Sequence, residues 1–223
     1  MEYTELLGSE YIIDTYKKID HIERENPINH GFIHINNVVN NGKEIARLFG
    51  FTKREEEMLL SACVLHDIGY LLDRENHARN GAILALGYLK DNSDYNVDEI
   101  KRIAKSIASH GGVMKEDYLD KISLSLILAD KMDFVKTRYD RYLCNYDRKY
   151  LPFLTIQAVK LTKEEQWYEL VIDSTDRELE QNIIECDVFK RFNQIVDNIN
   201  KYTEYKIRIR FLNRISVQIE LNQ

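Results

Sequence analysis

Apolar side chains recur through the first two thirds of the chain at intervals of three and four residues, the spacing that lines one face of an α-helix. Between 35 and 49 they are Ile35, Val38, Val39, Ile45, Ala46 and Phe49, and between 97 and 107 they are Val97, Ile100, Ile103, Ala104 and Ile107. From about residue 9 to 142 this pattern predicts at least six helices. Gly50, Gly69, Gly87 and the pair Gly111–Gly112 stand where these helices are expected to stop, because glycine accepts the left-handed conformation of a C-terminal cap. Short helices with repeated stops imply a bundle.

Beyond about residue 150 the pattern changes. The segments LPFLTIQAVKLT and QWYELVIDS read as strands on either side of a turn at Thr162–Glu165. Ile184, Val188, Phe192, Ile195 and Ile199 then mark one face of a helix. The end alternates with period two at Ile207, Ile209 and Phe211 and again at Ile215, Val217 and Ile219, as a strand or a hairpin around Asn213 does. The expected architecture is mainly α: a helical bundle over 1–149 with a small α+β extension, β-β-α-β, over 150–223. An edge carrying Ile207, Ile209 and Phe211 would invite aggregation, so the extension is expected to pack on the bundle, cover the substrate site or pair two copies into a homodimer.

Composition narrows the class of molecule. In 223 residues there are 9 Gly and 2 Pro but 14 Tyr and 8 Phe, a content of large side chains that requires an interior. No stretch approaches the roughly 20 apolar residues that span a bilayer. The start is acidic where a secretory signal is basic and then apolar, so a cytoplasmic protein without membrane partners is expected. Cys63, Cys144 and Cys186 are odd in number and far apart, which argues against disulfides and thiolate zinc sites. A net charge of −6 with interspersed signs lacks the footprint of a dedicated nucleic-acid binder.

The chemistry concentrates in the helical part. In SACVLHDIGY an apolar helix runs into His66 and Asp67, and His66 lies on its apolar side, three and four places after Cys63 and Ala62. His34 stands one turn before Val38. His77 opens a helix with small residues at Ala78, Gly81, Ala82 and Ala85. His110 follows Ile103 and Ile107, and Asp130 follows Leu126 and Ile127. A buried, unpaired carboxylate costs several kcal/mol, so inward-facing His and Asp need partners. Divalent cations satisfy such a set, with imidazole lone pairs and carboxylate charge as ligands. If Asp67 bridges, two ions fit, one with His34, His66, Asp67 and Asp130, the other with Asp67, His77 and His110. Two such ions polarise a phosphoryl oxygen and lower the pKa of a shared water.

These residues resemble the HD superfamily of metal-dependent phosphohydrolases, whose pattern is a His on one helix, an adjacent His-Asp pair and a distal Asp. Here it reads His34 in HINNVV, His66–Asp67 in VLHDIG and Asp130 in LADKMD. His77 and His110 resemble the extended form found in members with two metals, among them phosphodiesterases, diadenosine-tetraphosphate hydrolases and a minority of diiron oxygenases. The resemblance covers roughly 30–135. The GYP signature of the cyclic-di-GMP enzymes is not found, since HDIGY continues as LLDREN.

The resemblance implies hydrolysis of a phosphate ester or anhydride in a nucleotide or another small phosphorylated metabolite. It also implies two divalent ions: manganese, iron or magnesium, with zinc, nickel and cobalt as further candidates. Asp67 is expected to orient or deprotonate the attacking water, and Lys131, Arg138 and His30 to hold phosphate, with Lys131 also counted as catalytic. Each residue has a plainer reading. Asp130 could pair with a nearby Lys, Lys131 and Arg138 with Asp133 or Asp140, and His77 and His110 could bond backbone carbonyls. His21 is expected at the surface, and the Tyr-rich segment 139–150 as a solvated helix. Asp133 is a weaker candidate for the cleft. A diiron oxygenase on the same ligands and a metal-stabilised regulatory module are the competing readings.

Overall fold

The computed structural model describes residues 2–111, 120–184 and 186–213. They form two compact units, one made of residues up to Glu25 and of Asn29–Lys131, the other of Asn26–Ile28 and the chain from Met132 onward. The architecture is mainly α with a small α+β part at the C-terminal end.

The first unit is helical: α1 (Tyr3–Leu7), α2 (Glu10–Ile22), α3 (Phe32–Leu48), α4 (Lys53–Leu65), α5 (His77–Asn92), α6 (Val97–Ser109) and α7 (Lys121–Lys131), with a 3₁₀ turn over Ile68–Leu71. Local chemistry sets the helix ends. Ser9 accepts the Ile12 N–H at the start of α2, and capping boxes of Thr52 with Glu55 and Asn96 with Glu99 open α4 and α6, each satisfying donors that the first turn leaves without partners. Gly50 has φ of 62° and lets the Phe51 N–H fold back to the Ala46 carbonyl at 3.0 Å, ending α3. Gly87 is not a stop; it lies inside α5, whose hydrogen bonding continues to Asn92.

The predicted stripes are the core. Ile35, Val38 and Ile45 of α3 are fully buried, as are Ile103 and Ile107 of α6, and each such side chain stabilises the fold by about 1.5–3 kcal/mol. Val97, counted with the α6 stripe, is instead exposed at the first helical position. α4 and α7 are buried over most of their length, which explains their weak amphipathic pattern.

The second unit holds a three-stranded sheet in the order β1 (Ile156–Lys163), β2 (Tyr168–Ser174), β3 (Ile207–Asn213). β1 and β2 form an antiparallel hairpin closed by the Glu164 N–H on the Trp167 carbonyl at 2.8 Å. β3 returns parallel to β2, Tyr168 facing Ile207 and Ser174 facing Asn213, after α9 (Leu179–Ile183) and α10 (Asp187–Tyr202). A parallel return requires a crossover, and these helices supply it. Leu151–Thr155, read from sequence as strand, belong to a 3₁₀ helix over Arg148–Thr155, because Pro152 has no N–H to give a ladder.

The buried face of α10 keeps the expected Phe192, Ile195 and Ile199 and gains Phe189 and Val196. Phe189, Phe192, Ile195, Val196 and Ile199 are buried, whereas Ile184 is exposed and precedes the helix. Phe153, Phe189 and Phe192 each lie against Phe134, Phe192 at 4.9 Å, and this aromatic cluster fixes the helix rotation. The Tyr-rich segment is broken into α8 (Arg141–Cys144) and the 3₁₀ helix rather than continuous. The second alternating run, Ile215, Val217 and Ile219, and Gly112 lie outside the described residues. Among the described residues no helix is long and apolar enough to cross a membrane.

Candidate metal centre

Each clustered residue occupies a position that the local fold constrains. His34 sits in the first turn of α3, where the Asp20 carboxylate fills the space that a Cβ on Gly31 would need, and Asn29 accepts the Gly31 N–H at 2.8 Å. His66 and Asp67 lie between the end of α4 and the 3₁₀ turn. The buried Tyr16 hydroxyl donates to the Val64 carbonyl there at 2.7 Å, satisfying a helix-end acceptor beside the pair. Gly69 meets the start of α5 without a side chain, and Gly81 in α5 packs against the His66 carbonyl. His77 therefore opens α5 beside the pair. His110 closes α6, and Asp130 is the penultimate residue of α7, tied to α3 by the Asn41 amide on the Ala129 carbonyl at 2.9 Å.

The six residues converge. The His34 Nε2 lies 3.4 Å from the Asp67 Oδ2, 3.4 Å from the Asp130 Oδ1 and 3.3 Å from the His66 Nε2. His66 Nε2 is 3.2 Å from the same Asp67 oxygen. The other Asp67 oxygen, Oδ1, lies 3.3 Å from His110 Nε2 and 3.9 Å from His77 Nε2, and those two nitrogens are 3.1 Å apart. The two oxygens of Asp67 thus face two different groups of ligands. His34, His66, Asp67, His110 and Asp130 are buried, and His77 is partly exposed.

Proton accounting shows what this geometry lacks. The Nδ1 of His66 donates to the Cys63 carbonyl at 2.8 Å, that of His77 to Arg74 at 2.7 Å and that of His110 to Ile107 at 2.6 Å. A neutral imidazole that gives its Nδ1 proton to a carbonyl presents only a lone pair at Nε2. Burial pushes His110 down to about 4, so it is neutral at pH 7. Burial alone would raise the Asp67 carboxyl, but the surrounding imidazoles, His66 first and then His110 and His34, outweigh it and hold it well below the usual carboxylate range.

Lone pairs and an ionised carboxylate consequently face one another at 3.1–3.3 Å. Asp67 Oδ2 is buried without a hydrogen bond. A single proton relieves one such contact; a cation relieves several at once. With metal–ligand lengths near 2.1 Å, ligands on adjacent positions stand about 3.0–3.4 Å apart, so the donor set fits divalent ions by chemistry and spacing. Among the described residues, three triples of buried or partly buried donors could hold an ion: His34–His66–Asp67, His66–His110–Asp130 and Asp67–His77–His110.

Other candidates divide. Lys131 Nζ donates to the Asp130 Oδ2 at 2.6 Å, leaving Oδ1 toward His34, so Asp130 serves a Lys and the cluster together. His30 precedes α3 as a loop residue, its ring 6.1 Å from that of His34. His21 is exposed. Asp133 and Arg138 belong to the second unit, where the Arg138 guanidinium donates to the Asp133 carbonyl at 3.2 Å; Asp140 caps α8 through the Leu143 N–H. Sequence reasoning missed Tyr16 and Tyr70. Tyr70 stacks on His30 and His77, and its place within HDIGY was the one available signal.

The HD-domain family model matches residues 31–137, a stretch that encloses all six clustered residues. No curated protein sequence matches the chain. Among solved structures, a predicted HD superfamily hydrolase from an uncultured Thermotogales bacterium aligns with 69% of this chain and 93% of its own, at 21% identity and a TM-score of 0.45. With the His34, His66–Asp67 and Asp130 pattern lying inside the matched stretch, residues 31–137 of this chain form an HD domain.

Proposed function

We propose that this protein hydrolyses a phosphate ester or anhydride of a small phosphorylated metabolite, a nucleotide first among them, with two divalent ions at the cluster. The HD domain supports a metal-dependent phosphohydrolase at the level of the family. The observation that carries the reading is the division of Asp67, with Oδ2 toward His34 and His66 and Oδ1 toward His77 and His110. Divalent ions, when bound, supply Lewis acidity toward a phosphoryl oxygen and acidify a nearby water.

The chain's own residues do the rest. Carbonyls of Cys63, Arg74 and Ile107 fix three imidazoles with Nε2 inward, so no reorientation is needed on binding. Asp67 is ionised at neutral pH, so it accepts a hydrogen bond from the attacking water and orients it. Lys131, one-third exposed with its ammonium on Asp130, offers a cation to the phosphate, and His30 stands at the same end of α3 as His34.

The test is phosphate release over nucleotides, dinucleoside polyphosphates and sugar phosphates with added manganese or iron(II), with Asp67→Ala as the blank. Turnover on one substrate class, lost together with metal retention in the variant, is the expected result. Full activity in Asp67→Ala overturns the assignment. Silence across the panel from protein carrying two ions also overturns it and directs attention to oxygen chemistry.

A further inference from the structure

Of the six clustered residues, His77 has the most open surroundings, with 18% of its side chain exposed against 3% or less for the others. It stands at the first position of α5, so no preceding helical turn covers its ring. What covers it is Tyr70, whose ring stacks on the His77 imidazole at 4.3 Å and 23°. Tyr70 also stacks on His30 at 4.5 Å and 26°, and its hydroxyl lies 3.2 Å from the His30 Nε2.

The contacts continue and return. His30 Nδ1 faces Glu23 Oε2 at 3.5 Å, Arg74 Nη1 pairs with the same Glu23 oxygen at 3.2 Å, and the Arg74 carbonyl holds the His77 Nδ1. The Glu23 carboxylate accepts from Arg74, and the Arg74 carbonyl accepts from His77. The ring of contacts begins and ends at His77, and Tyr70 is its one member that lies against the His77 imidazole face.

We propose that Tyr70 is a positioning residue that decides whether the pocket of His77, His110 and Asp67 Oδ1 takes an ion, while the pocket of His34, His66, Asp67 Oδ2 and Asp130 does not depend on it. This rests on the metal-dependent reading above. Those four residues are 0–3% exposed, held by α3, the α4 end and α7, so their geometry follows from the core. The His77 ring has two soft torsions and one carbonyl contact; a stacked neighbour removes the rotation about the second torsion.

The experiment titrates Mn²⁺ into metal-stripped protein by calorimetry, with two ions per chain expected for the wild type. Tyr70→Leu removes the ring, and the second ion is expected to bind at least about tenfold more weakly while the first changes by less than about threefold. Tyr70→Phe keeps the ring and is expected to restore both affinities to within about threefold of wild type. Should Tyr70→Leu fail to fold, Tyr70→Met carries the same expectation with more apolar bulk.

A ring-less variant that takes both ions as the wild type does overturns the proposal. So does equal weakening of both ions, a Tyr70→Phe loss as large as that of Tyr70→Leu, or wild-type protein that takes a single ion. Wild-type protein that takes none overturns the metal-dependent reading itself, so the two failures are distinguishable.

Discussion

Replacing Gly69 by Ala puts a methyl 1.9 Å from the His77 carbonyl oxygen, 2.4 Å from the Gly81 nitrogen and 2.8 Å from the His77 carbonyl carbon. All three are backbone atoms, so no side-chain rotation relieves the overlap. Carbon and carbonyl oxygen approach no closer than about 3.3 Å without strain, so the start of α5 must retreat by more than about 1 Å. Overpacking of this kind costs about 1–3 kcal/mol. In a chain of this length that corresponds to a fall in Tm of roughly 2–12 °C. The retreat carries His77 with it, and metal ligands tolerate only about 0.2 Å of error. Thermal denaturation of the metal-free variant should therefore show the lower Tm, and under the two-ion reading proposed above metal analysis should show loss of the ion assigned to His77. An unchanged Tm with two ions retained would refute the argument that this glycine contact sets the position of α5.

Two other glycines should respond in opposite directions. Gly87→Ala, in the interior of α5 with nothing within 4 Å of the new methyl, should stabilise by about 0.5–1 kcal/mol, whereas Gly50→Ala, forced to a φ of 62°, should destabilise by about 1–2 kcal/mol; urea denaturation checks both. The metal-free protein should also lose stability in mild acid. His110 is held down to about 4 when folded against about 6.5 when unfolded, so below pH 6.5 the unfolded chain takes the proton first, and stability falls as pH drops from 6.5 towards 4. Urea midpoints at pH 7 and pH 5 that coincide for metal-free protein would contradict this.

The residues that reach the cluster could be read from the chain because each stands at a helical interval from its own apolar stripe. His66 follows Ala62 and Cys63, His110 follows Ile103 and Ile107, and Asp130 follows Leu126 and Ile127. A polar residue on a buried face needs a partner, and that need is local information. The same reasoning faltered where packing from elsewhere chose the answer. On α10 the ring of Phe134, distant in sequence, packs on Phe189 and Phe192, so the buried face extends to Phe189 while Ile184, counted with the stripe, is left exposed. Leu151–Thr155 had strand-like composition, but Pro152 denied it a ladder.

By itself, then, the order of apolar and polar residues determined the helical class, the HD pattern and the donors that point inward, because periodicity within one element follows from its own backbone geometry. Only the tertiary structure decided how those donors are shared. That Asp67 divides its oxygens between two imidazole pairs, that Gly69 admits α5, that the Tyr16 hydroxyl reaches the Val64 carbonyl and that Tyr70 stacks on His77 all depend on distances between separate elements. Spacing along the chain carries no record of those distances, since they are fixed by how close-packed side chains exclude one another when the helices meet.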